Sequence, residues 1–177
     1  TLVRRCLKDA GDPGLANFET AARRYRELFA EDPYFKVTPY AGVLDILRDF
    51  RQRNIKIAVC SNKPHPAAVQ VVDKMFPDMF HMVVGQSEKI RKKPAPDAPL
   101  SIAGEFGVDP RECMYVGDSG TDMKTGKAAG MYTVGVLWGY RSEEELKENG
   151  ADDLAERPSD LFRIYERITA EENTGVQ

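Results

Sequence analysis

The chain has 177 residues, 42% of them apolar and 30% charged, with a formal net charge of −3, so it fits one compact domain or one domain with a small appendage. That balance excludes an electrostatic footprint for nucleic acid or an anionic membrane, and no apolar run is long enough to span a bilayer. Two histidines and three scattered cysteines, Cys6, Cys60 and Cys113, offer neither a histidine metal site nor a disulfide framework, which suits a reducing cytoplasm.

In chain order, the opening residues carry no signal-peptide core and no initiator Met, and the gene is expected to begin further upstream. Over 15–31 the residues Phe18, Ala22, Tyr25 and Phe29 recur at helical spacing and predict an amphipathic helix. The stretch 32–40 is broken by Pro33 and Pro39 and marks a boundary. The expected division is a helical appendage over 1–32, a main domain over 33–170 and a frayed polar tail over 171–177.

Within the main domain, the period alternates between strand and helix. Val43, Leu44, Leu47 and Phe50 predict a helix, and 55–60 a strand. A helix over 67–75 precedes a strand over 80–84, and Leu100, Ala103 and Phe106 mark the next helix. Strands over 113–116 and 132–137 flank a helix through Met123, Ala128 and Ala129. Alternation of this kind predicts an α/β fold, a Rossmann-like parallel sheet with helices on both faces, with ligands bound beyond the carboxyl ends of the strands.

Polar residues gather at those ends. Ser61-Asn62-Lys63-Pro64 follows the first strand; a hydroxyl and backbone N–H groups entering a helix can hold an anion, although the commoner use of such residues is a helix cap. Arg91-Lys92-Lys93-Pro94-Ala95-Pro96-Asp97 sets cations on a stiff extended loop, where lysine suits phosphate and a solvated basic run is the plainer reading. Gly117-Asp118-Ser119-Gly120-Thr121-Asp122 joins a strand to a helix. Its carboxylates can face the same sheet edge, and hard oxygen donors there suit Mg²⁺. An N-cap accounts for one of these aspartates but not for the clustering of both.

In this order, Ser61, Lys93-Pro94-x-Pro96 and Gly117-Asp118-Ser119-x-x-Asp122 resemble motifs II, III and IV of the haloacid dehalogenase superfamily. Tyr40-Ala41-Gly42-Val43 and Gly135-Val136-Leu137-Trp138-Gly139-Tyr140 are similar to its phosphoglycolate-phosphatase-like branch. The resemblance spans about 33–161. It implies a Mg²⁺-dependent phosphatase of a small phosphorylated metabolite such as phosphoglycolate, cytoplasmic, and monomeric or homodimeric. Ser61 and the Asn62 backbone N–H would bind the phosphoryl group, and Lys93 would neutralise its charge and orient the nucleophile. Asp118 would ligate Mg²⁺; Asp122 would serve the metal or hold Lys93. The helices of 1–32 would be part of a cap domain.

One departure is central. The family's motif I, an Asp-x-Asp whose first carboxylate attacks phosphorus and whose second protonates the leaving group, follows no apolar strand in this sequence. The nucleophile is therefore expected upstream of Thr1, and residues 1–177 alone are expected to be inactive. A sugar-phosphate mutase of the same fold and a non-catalytic phosphate-binding fragment are the competing readings. A phospho-receiver domain is set aside, because it would need its acidic residues early and its lysine last.

Overall fold

A computed structural model of the chain describes residues 2–32, 34, 35 and 37–174. They divide into two compact units, 1–37 and 38–177.

The first unit holds α1 (Leu2–Asp9) and α2 (Phe18–Glu31). Helix α2 begins three residues later than its apolar spacing predicts, because Leu15 takes a left-handed φ of 59° and the Asp12 carboxylate accepts from the amides of Ala16 and Asn17, both at 2.9 Å. Those bonds tie up a turn that cannot also be helix. On α2 Ala22 is buried, while Tyr25 stacks on Phe29 at 6.0 Å and stays half exposed.

The second unit is the α/β domain. Its elements are α3 (Val43–Gln52), β1 (Ala58–Pro64), α4 (His65–Met75), β2 (Met82–Gln86), α5 (Asp97–Phe106), β3 (Met114–Gly117), α6 (Gly120–Ala128), β4 (Tyr132–Val136), α7 (Glu143–Glu148), β5 (Asp153–Ala155) and α8 (Asp160–Thr174). All strand pairs are parallel, as right-handed crossovers through helices require. Helices cover both faces. Ile46 and Phe50 of α3, with Leu161 and Ile164 of α8, pack on Val134 and Val136 of β4. On the other side Ala103 of α5 meets Tyr115 of β3, together with Ala129 and Met131.

The strands form two sheets, β1-β2 and β3-β4-β5, and among the described residues no pairing joins β1 to β3. Between them runs an apolar cavity of about 900 Å³. Val59 of β1, Met114 and Val116 of β3, Phe50 and Leu161 are among its walls, and Asp118 stands at one end. Each facing strand thus leaves one edge without a ladder partner, the arrangement that invites a further strand.

Several bounds differ from the spacing-based expectation, and β2 runs Met82–Gln86 where 80–84 was expected. Strand β1 starts at Ala58 rather than at residue 55, because Ile55 N–H closes a turn onto the Phe50 carbonyl and Ile57 is tied to His81. It also runs on through Pro64, with a register shift between Cys60 and Pro64: Cys60 faces Val84, whereas Pro64 faces Gln86. Four residues on β1 thus match two on β2, and the segment bulges away from the ladder. At the other end of the chain, α8 continues through Thr174 where a frayed tail was expected from residue 171, and residues 175–177 lie outside the described residues.

Candidate active site

The carboxyl ends of β1 and β3 carry the polar cluster, and the bulge in β1 aims Ser61 and Asn62 out of the ladder. Ser61 Oγ accepts from the Lys63 amide at 3.1 Å, which leaves its own O–H to donate. Asn62 reaches across to the loop before α5: its Oδ1 accepts from the Lys93 amide at 2.7 Å, and its Nδ2 donates to the Lys93 carbonyl at 3.4 Å.

Lys93 turns inward, its side chain only 17% exposed, and its ammonium donates to Asp122 Oδ1 at 2.7 Å and to the Cys60 carbonyl at 3.3 Å. Asp122, 6% exposed on the first turn of α6, has its second oxygen taken by the Ser119 hydroxyl at 2.5 Å. Ser119 is also the N-cap of α6, accepting from the Asp122 amide. Three segments distant in sequence, at β1, the 91–97 loop and the β3–α6 turn, are therefore tied by charge-assisted hydrogen bonds.

Asp118 ends the β3 edge. It is partly exposed, and its Oδ2 accepts from the Tyr140 amide at 3.2 Å. Glycines bring the backbone this close: a Cβ on Gly117 would lie 2.3 Å from Asp122 Cβ, and one on Gly139 2.3 Å from Asp118 Cβ. Any side chain at either position would displace a carboxylate.

The three cations of the 91–93 run have separate fates. Arg91 forks onto Asp97, Nε to Oδ2 at 2.9 Å and a terminal nitrogen to Oδ1 at 2.6 Å, while its amide donates to Oδ2 at 3.1 Å. Lys92 is exposed. Only Lys93 faces the cluster. The Arg91 guanidinium holds the Asp97 carboxyl at about 2, below its ordinary 3.8. Because the folded value is depressed, the clasp contributes fully above pH 3.8 and is lost as pH falls through about 2. The Arg91 amide proton shift, followed by NMR, should therefore titrate with a midpoint near 2 rather than near 4. A midpoint near 4 would show that the clasp is not formed.

Around the cation, burial pushes the Cys60 thiol and the Tyr115 hydroxyl up, so both stay neutral hydrogen-bonding groups at neutral pH. Among the described residues no group of three or more His, Cys, Asp or Glu could hold a metal ion. Asp122 gives one oxygen to Lys93 and the other to Ser119. Asp118 has a partly exposed carboxylate at the cavity's end. Mg²⁺ keeps several waters and takes one or two carboxylates, so Asp118 fits as one ligand of such a site and the rest must come from water or another group.

A sequence model of the haloacid dehalogenase-like hydrolases matches residues 5–130. The chain belongs to the haloacid dehalogenase-like hydrolase family. Among its relatives, a phosphoglycolate phosphatase of Pseudomonas putida is 35% identical over 143 residues, 78% of this chain and 52% of that protein. The phosphoglycolate phosphatase of Pectobacterium atrosepticum is 28% identical over 92% of this chain and 70% of its own length. A crystal structure from Lactobacillus delbrueckii subsp. bulgaricus, of a protein provisionally named phosphoglycolate phosphatase, superposes with a TM-score of 0.77 at 32% identity, over 92% of this chain and 76% of that one. A haloacid dehalogenase-like family hydrolase from Streptococcus pneumoniae shares the fold at a TM-score of 0.77 and 15% identity, over 84% of this chain and 70% of that one. The chain thus spans about half to seven tenths of the length of these curated relatives. In this family frame the α/β fold with helices on both faces is the hydrolase core.

Sequence spacing brought Ser61, Lys93, Asp118 and Asp122 forward, but it did not reveal the Asn62 side-chain contacts, the Arg91–Asp97 clasp or the Ser119–Asp122 bond. Nothing in a linear pattern pairs residues 31 apart, as Asn62 and Lys93 are. The short Arg91-to-Asp97 separation is a signal that could have been used.

Proposed function

We propose that this chain is the greater part of a Mg²⁺-dependent phosphomonoesterase acting on a small phosphorylated metabolite of the phosphoglycolate type, its nucleophilic aspartate lying on a segment upstream of Thr1. The observation that carries the reading is the slot between β1 and β3, apolar along its walls and ending at Asp118, with Lys93 held beside it by Asp122 and Cys60. A strand entering this slot parallel to its neighbours would pair with both free edges and deliver its last residues to the polar cluster. The phosphoglycolate phosphatases among the relatives support the substrate class, and the two α-helices of 1–32 are proposed as part of a cap that selects among substrates.

In this mechanism the incoming carboxylate attacks phosphorus, the ester P–O bond breaks, and the departing oxygen takes a proton from a second acid on the same segment. Water then cleaves the acyl phosphate, releasing inorganic phosphate and restoring the carboxylate. Ser61 O–H and the Asn62 amide N–H bind equatorial oxygens, and the Lys93 ammonium offsets their charge and orients the attacking carboxylate. Asp122 keeps that ammonium in place. Asp118 would help to hold Mg²⁺, which when bound supplies charge neutralisation at the phosphoryl oxygens. No helix among the described residues is long and apolar enough to cross a membrane, and the free cysteines Cys6, Cys60 and Cys113 support a reducing, cytoplasmic setting.

The paired lysines test the reading. In the full-length protein, Lys93→Met should raise KM and lower kcat together, because the charge acts in both ground and transition states. Lys92→Met, on an exposed neighbour, should change either by less than about twofold. Equal, small effects from both would return the loop to a solvated basic run. A non-catalytic phosphate-binding role is the second reading, favoured by one observation: no Asp-x-Asp ends any described strand.

A further inference from the structure

We infer that the Asn62 side chain is a positioning residue for Lys93: it clamps the lysine's own peptide groups, and through them fixes where the ammonium stands. This goes beyond the phosphatase reading, resting on it only for the purpose that the ammonium serves. The side-chain amide of Asn62 occupies both the N–H and the C=O of Lys93, at 2.7 and 3.4 Å, as an adjacent strand would. The backbone between Ile90 and Asp97 belongs to no strand or helix. Its ends are fixed by the Arg91–Asp97 clasp and by the start of α5, and a turn closes over Lys93 from the Ala95 amide to the Lys92 carbonyl at 3.0 Å; the Asn62 side chain ties the backbone of that turn to the end of β1.

Chemistry selects the residue. A lysine ammonium rides on a flexible four-carbon stem, so its position is only as definite as the backbone beneath it. Holding the N–H and the C=O of one residue at once suits a side chain with its donor and acceptor on separate atoms spaced as in a peptide, which is the carboxamide of Asn and Gln. Gln is a methylene longer. Asp could accept from the Lys93 amide but could not donate to its carbonyl. The bulge supplies the reach: with register lost between Cys60 and Pro64, Asn62 is not committed to the β1–β2 ladder. The same stretch grips the other end of the residue, since the Cys60 carbonyl accepts from Lys93 Nζ at 3.3 Å. Segment 60–62 thus holds Lys93 by its base and its head, while Asp122 holds it from α6. Asn62 is itself exposed, so truncating it removes the clamp without opening a cavity.

Two measurements on the full-length protein test this. The first is competitive labelling with acetic anhydride, read residue by residue by mass spectrometry. Wild-type Lys93 should be protected, Asn62→Ala should raise its labelling rate about tenfold, Asn62→Asp should do so by less, and Lys92 should not change. An unchanged Lys93 rate in Asn62→Ala, at an unchanged melting temperature, overturns the clamp. The second is a double-mutant cycle on the affinity for inorganic phosphate. Asn62→Ala should weaken it about tenfold in the native background and less than about twofold in the Lys93→Met background. Additive losses would mean that Asn62 does not act through Lys93, and would overturn the inference. If the wild-type protein bound no phosphate, the phosphatase reading would fail, while the labelling result would still decide the clamp.

Discussion

Asp118→Asn is expected to abolish phosphate-ester hydrolysis by the full-length protein, by at least about a thousandfold, with far-UV dichroism and melting temperature nearly unchanged. The separation of the two effects follows from what Asp118 touches. Among the described residues its side chain takes one hydrogen bond, accepted from the Tyr140 amide through Oδ2, and an asparagine carbonyl can accept the same bond. It is partly exposed, so exchanging carboxylate for amide leaves no buried orphan. What the amide cannot do is offset a dication, and charge stabilisation by a metal is worth several kcal/mol in the transition state, of the order of a thousandfold in rate. Full activity in the variant would remove Asp118 from the metal site. Asp122→Asn is a different experiment: Asp122 is buried against Lys93, and breaking a buried pair from one side costs about 3–5 kcal/mol of stability.

The second large effect concerns the slot. Supplying the segment upstream of Thr1, fused or in trans, should convert the sheets β1-β2 and β3-β4-β5 into one and restore turnover with Mg²⁺. Strand backbones need partners on both edges when buried, and each unsatisfied buried group costs about 1–3 kcal/mol against a total stability of only about 5–15 kcal/mol. Residues 1–177 alone are accordingly expected to be aggregation-prone and inactive toward p-nitrophenyl phosphate. With the segment present, hydrogen exchange at the amides of 58–60 and 114–117 should slow by several orders of magnitude, as global rather than local opening comes to govern it. Unchanged exchange at both strands would show that the slot does not take a strand.

Much of this was legible in the sequence. Alternating periods gave the parallel α/β layers because buried strands and amphipathic helices leave strong local signals, as in 132–137 against Tyr132–Val136 of β4. The C-terminal elements were silent for the opposite reason. Strand β5 is three residues long, and α7 is six residues opening on three glutamates, with Leu146 its one buried anchor. Neither is long enough for its period to repeat. At the site, Lys93, Asp118 and Asp122 stand out by type and spacing. Asn62's reach to Lys93 depends on a bulge whose register no residue pattern announces. The open seam between β1 and β3 is a property of pairing across the whole domain, visible only once every strand has a neighbour assigned.

Ser61, Lys93 and Asp118 are proposed to serve a carboxylate delivered into the slot from outside residues 1–177. Rapid acid quench of the full-length protein turning over phosphoglycolate with Mg²⁺, followed by peptide mass spectrometry, tests it most directly. A phosphoryl group should be trapped on an aspartate upstream of Thr1 and lost when that aspartate is changed to asparagine. A phosphoryl group on a residue within 1–177, or hydrolysis by a well-folded, monomeric protein of residues 1–177 alone, would contradict it.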